Sequence, residues 1–128
     1  MSLFIDKDID NINIRIPQGA EFRENFEYLN YENNPIDFTN LEAKCIFRSK
    51  ADKNSPVIFE VNSTTSSGGV IFLKDNGIIE IVIRPFITET LSKKVMFYDV
   101  MLFDPNNISK VTRAFQGMAI LDSQVTTI

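Results

Sequence analysis

Histidine and tryptophan are absent from the 128 residues, and cysteine occurs once, at Cys45. Without imidazole there is no base for a histidine-dependent serine or cysteine triad, and no histidine metal ligand. A single cysteine closes no internal disulfide and fits a reducing compartment. The lack of tryptophan weakens a sugar-stacking role. Long apolar runs are missing too: none approaches the roughly 20 residues of a membrane-spanning helix. Residues 1–10, MSLFIDKDID, carry acids where a signal peptide carries bases, and they lack its apolar segment. A basic cluster is also lacking. The net charge is −4 with lysines and arginines scattered, which argues against a nucleic-acid surface. These absences together predict a chain folded in a cytoplasm, with no cofactor, no metal, no nucleic acid and no membrane.

What is present is a strand grammar rich in phenylalanine, with 11 copies. The centre of the chain's organisation is residues 94–121. Two apolar runs, VMFYDVMLFD and VTRAFQGMAIL, flank the polar break PNNISK, and both are rich in β-formers. This predicts a long antiparallel hairpin turning at Asp104-Pro105-Asn106-Asn107, where proline presets φ and asparagine tolerates a left-handed turn.

Shorter strands precede it. Ile12, Ile14 and Ile16 alternate with Asn13 and Arg15, and Pro17-Gln18-Gly19 ends that strand. Phe22, Phe26 and Tyr28 share one face, on which Glu24 is a blemish that predicts a sheet edge. Ala43, Cys45 and Phe47 form the apolar phase of another strand, so Cys45 reads as a small core residue. VIFEV and residues 70–73 follow, separated by the Gly/Ser/Thr stretch NSTTSSGG. Asn76-Gly77 predicts a hairpin turn leading into residues 78–84, apolar on both faces and therefore central. Residues 85–94 are the one helical piece, with Thr88 as the expected cap and Lys93 and Lys94 near its end. Residues 122–128 read as a polar tail able to extend the last strand.

The whole predicts an all-β chain: an antiparallel β-sandwich of seven to eight strands, immunoglobulin-like or jelly-roll-like, with one short helical connector. Residues 1–11 are set apart as an N-terminal arm and 12–128 as one sandwich domain.

Candidate chemistry gives way to packing at each position. Asp6, Asp8 and Asp10 imitate the start of a calcium loop, but Pro17 stands where its bidentate glutamate belongs. Asp99 and Asp104 are the best-placed acids for a paired-carboxylate hydrolase, which needs them roughly 5–9 Å apart. Asp104 is more simply a turn residue, and Asp99 falls on the polar phase of its strand. Gly68-Gly69 lacks the following helix and Lys-Ser/Thr of a phosphate loop. The expectation is that the chain is not an enzyme.

The order of PQGAEF, NPIDFTNLEAKCIFR, DNGIIEIVI, FYDVMLFD and VTRAFQGMAIL resembles small β-sandwich virion proteins of tailed bacteriophages. It is also similar to the N-terminal domain of phage baseplate upper proteins, over roughly Ile14 to Val125. Two departures stand out: the chain stops at Ile128 instead of continuing into a linker and oligomerising region, and residues 1–9 precede the first shared strand. The resemblance implies a non-enzymatic structural protein of the virion, assembled in the host cytoplasm. It would be a tail, baseplate, neck or fibre-attachment adaptor whose partners are other virion proteins or further copies of itself. The alternative is a carbohydrate-binding module in host recognition. Interface candidates are Leu3, Phe4 and Ile5 of the arm, Arg113 and Phe115 read as neighbours on one face of the last strand, and Val125 at the edge formed by residues 122–128.

Overall fold

The computed structural model describes residues 10–30 and 32–126. Their strands are β1 (Asp10–Asn11), β2 (Ile14–Pro17), β3 (Phe22–Glu27), β4 (Glu42–Arg48), β5 (Val57–Asn62), β6 (Gly69–Lys74), β7 (Ile78–Ile83), β8 (Val95–Asp104) and β9 (Asn107–Asp122). A single helical turn, α1 (Pro85–Thr88), links β7 to β8. The larger sheet has the order β1-β9-β8-β4-β5, with β2 also on β9; the smaller is β3-β7-β6. The chain crosses between the sheets from β2 to β3, β3 to β4, β5 to β6 and β7 to β8, in the manner of an immunoglobulin-like sandwich. The small sheet takes the places of strands B, E and D, and the large one those of G, F, C and C′.

The predicted sandwich is therefore present, with two corrections. β1 and β2 run parallel to β9, so the larger sheet is mixed. They also count as two strands, because the expected single strand breaks at Ile12-Asn13. Gly117 explains the break. A Cβ there would lie 2.1 Å from the Ile12 carbonyl oxygen, so only glycine admits the crossing backbone. Asp10 and Asn11, assigned to the arm, already belong to the sheet.

Other local expectations hold. Asn76 and Gly77 both take positive φ, at 66° and 70°. β3 is an edge strand, and Glu24 is an exposed charge on its inner phase that discourages further pairing. β7 is central, and its outward Glu80 is buried between Arg23 (3.4 Å) and Lys74 (3.5 Å). The Gly/Ser/Thr stretch is organised by Asn62, whose Oδ1 accepts from the backbone and hydroxyl of both Thr64 and Thr65.

Thr88 departs from its expected role. It ends α1 instead of capping its start, and its buried hydroxyl donates to the Ala20 carbonyl at 2.7 Å. The hairpin turn is also simpler than expected. Asp104 Oδ1 accepts from the Asn106 amide at 2.9 Å, and neither Asn106 nor Asn107 is left-handed.

Aromatic rings fill the space between the sheets. Phe47 stacks on Phe59 at 4.2 Å and lies beside Tyr98 at 5.5 Å, while Phe115 meets Phe26 at 4.6 Å. Cys45 sits among them, fully buried. The inter-sheet disulfide and tryptophan of antibody domains are replaced here by phenylalanine and tyrosine.

Candidate interface on the larger sheet

On β8, Met96, Tyr98, Val100 and Leu102 point into the core, which turns Val95, Phe97, Asp99, Met101 and Phe103 outward. Register places Met118 beside Phe97, Ile120 beside Val95 and Val111 beside Phe103 on β9. On β4, Ile46 lies opposite Asp99 and Arg48 opposite Phe97. An antiparallel sheet with one face in water normally alternates apolar-in with polar-out. Here the outward face carries large apolar side chains, exposed or half-buried, from three adjacent strands.

A polar strip crosses that face. Arg113 Nε lies 3.5 Å from Asp99 Oδ2, and Arg113 Nη1 donates to Gln116 Oε1 at 3.2 Å. Gln116 Nε2 in turn donates to Asn11 Oδ1 at 3.3 Å. Beside the strip lies a trough of about 620 Å³, with Ile46, Phe97 and Met118 among its lining residues. One rim is Asn11 and Asn13; Asn13 Oδ1 accepts from the Met118 amide at 3.0 Å. The other is the loop of residues 49–55, which carries Lys50, Asp52 and Lys53. That loop is built around Ser55, whose hydroxyl donates to the Lys50 and Asp52 carbonyls at 2.9 and 2.7 Å. Arg48 Nη1 ties it down by donating to the Ser55 carbonyl at 2.7 Å.

The predicted site residues separate. Arg113 and Phe115 do not share a face. Val100 pairs with Phe115 and Met101 with Arg113, so Ala114 is the extra residue of a β-bulge. The bulge shifts the phase by one: Arg113 is exposed on the outer face, whereas Phe115 is 2% exposed and part of the core. Phe115 is thus no interface residue of the folded chain. Val125 is 96% exposed but lies beyond β9, which ends at Asp122. Among the described residues of the tail, 123–126 do not extend the strand; the Gln124 amide donates instead to Gln18 Oε1 at 2.8 Å. Leu3, Phe4, Ile5, Asp6 and Asp8 lie outside the described residues. Asp99 and Asp104 are five residues apart on one extended strand, ~17 Å by strand rise, too far for a hydrolase pair.

The trough and the apolar outer face were missed at the sequence level. Their signal was the absence of polar alternation in VMFYDVMLFD.

No family model matches the chain, and no curated protein matches it. Among solved structures it is similar to the crystal structure of Dpr1 IG1 bound to DIP-eta IG1. The identity is 9%, over 88% of this chain and 90% of that one, with a TM-score of 0.49. The class of the molecule rests on its own strand order: an immunoglobulin-like sandwich whose larger sheet presents an apolar face.

Proposed function

We propose that this chain is a non-enzymatic structural protein of a tailed-phage particle, a tail, baseplate, neck or fibre-attachment adaptor. In this reading it holds neighbouring subunits together through the outer face of its larger sheet. The observation that carries the reading is the apolar character of that face, centred on Phe97, Met101, Phe103 and Met118. Large apolar side chains left partly in water on a sheet face, beside polar groups, are the kind of surface that protein contacts use. The motif order along the chain supports the phage context.

The test is a double variant, Phe97→Lys with Met118→Lys, in both the isolated protein and the phage. Isolated, it should fold with an unchanged or raised melting temperature, because both side chains lie outside the core. In the phage it should be missing from purified particles. Normal incorporation of the variant overturns the reading.

One observation favours a sugar ligand as the second reading: the amides of Asn11, Asn13 and Gln116 and the Asp99–Arg113 pair border the Phe97 ring in one trough. Specific binding on a glycan array, lost in Asp99→Ala, would favour it over assembly.

A further inference from the structure

The trough is cationic on a chain whose net charge is −4. Arg48, Lys50, Lys53 and Arg113 line it, against Asp52 and Asp99. Its apolar contribution comes from Ile46, Phe97 and Met118. A complementary occupant is an extended segment with adjacent large apolar side chains followed by acids. The sequence holds one in Leu3-Phe4-Ile5-Asp6-Lys7-Asp8. Other runs of that type, such as Met101-Leu102-Phe103-Asp104, are already committed to strands.

We propose that the trough receives residues 3–8 of a second copy of this chain. The proposal rests on the reading of the outer face as an assembly surface, and it names the partner. Six extended residues reach ~20 Å. That is enough to pass from Arg113 to the loop of Lys50 and Lys53, which begins just beyond the Phe97–Arg48 pair. The segment of the same copy is the competing occupant, and it would leave the full chain monomeric. The contact is heterologous, donor segment on one copy and trough on the next, so it propagates into a ring or an array.

The test uses sedimentation velocity on the full chain and two variants, one lacking residues 2–8 and one carrying Lys50→Glu with Lys53→Glu. The full chain should self-associate in low salt and weaken in 0.5 M sodium chloride, because the rim charges are exposed and screened. Each variant alone should associate roughly tenfold or more weakly. Mixed, they should form a 1:1 complex, since one keeps the trough and the other the segment. A synthetic peptide of residues 1–9 should bind the deletion variant, and the same peptide with both aspartates changed to lysine should not. Circular dichroism and melting temperature check that both variants fold.

A deletion variant that associates like the full chain overturns the proposal, as does peptide binding indifferent to the Lys50/Lys53 reversal. Either result, with Phe97 still needed for incorporation into particles, leaves the assembly reading standing with a different partner. A full chain that stays monomeric, with no peptide bound, also overturns the proposal.

Discussion

At the scale of single residues, the junction of β1, β2 and β9 concentrates the constraints. Gly117 lets the Ile12 backbone cross at a distance no side chain permits, and the Tyr98 hydroxyl donates to that same Ile12 carbonyl at 2.6 Å. Gly117→Ala should therefore cost about 1–3 kcal/mol in urea unfolding, as overpacking against backbone does. A cost near zero would show that the crossing can shift. Tyr98→Phe leaves the Ile12 carbonyl without its donor and should cost about 1–3 kcal/mol. Tyr28 gives the opposite case: it is 1% exposed, and its hydroxyl has no hydrogen-bond partner among the described residues. Tyr28→Phe should be neutral or stabilising by up to about 1 kcal/mol. Equal losses in the two tyrosine variants would mean that the Tyr28 hydroxyl is in fact satisfied.

At the scale of elements, the bulge at Ala114 decides which side chains β9 gives to the core and which to the surface. Phe115→Ala should cost about 3–5 kcal/mol, the range for a buried aromatic. Arg113→Ala should stay within about 1 kcal/mol, since its pair with Asp99 is exposed. Similar losses for both would place them on one face after all and remove the bulge. Strands were legible wherever apolar and polar residues alternate or a turn former intervenes, as in residues 41–48 and at Asn76-Gly77. The hairpin was legible as a pair of runs, but VMFYDVMLF is apolar at every position except Asp99, so a single acid marks its phase. Its outward half is otherwise as apolar as its inward half, which hid the candidate interface. A bulge leaves no mark in composition, so Arg113 and Phe115 read as neighbours two apart. Parallel pairing of β1 and β2 with β9 joins residues about a hundred apart, and no local pattern encodes that. The trough likewise draws on β4, β8, β9 and two distant segments.

At the scale of the whole molecule, the core is held without a disulfide and encloses three acidic protons. Burial pushes the Cys45 thiol well above its ordinary value of 9.0, with the negative charges of Asp99 and Glu60 adding to the effect. Burial likewise pushes the Tyr28 and Tyr98 phenols above their ordinary value of 10.0. In the unfolded chain these groups release their protons from about pH 9 to 10; in the folded chain they keep them. The unfolded state then binds fewer protons than the native one, so stability falls as pH rises. Below pH 9 both states are protonated and the contribution is intact. Above its ordinary value, near 9 for the thiol and near 10 for the phenols, each group should remove about 1.4 kcal/mol per pH unit until its folded value is reached. With no histidine in the chain, no side chain of ordinary pKa titrates between pH 6 and 8, so stability should be level there. Urea midpoints measured from pH 6 to 11 should therefore run flat and then bend downward above pH 9. Lysine deprotonation also begins near pH 10, and Tyr28→Phe separates the two causes. Removing one buried phenol should flatten the slope between pH 10 and 11, while the lysines are untouched. An unchanged slope in that variant would take Tyr28 out of the account and leave the alkaline loss to Tyr98, Cys45 and the lysines.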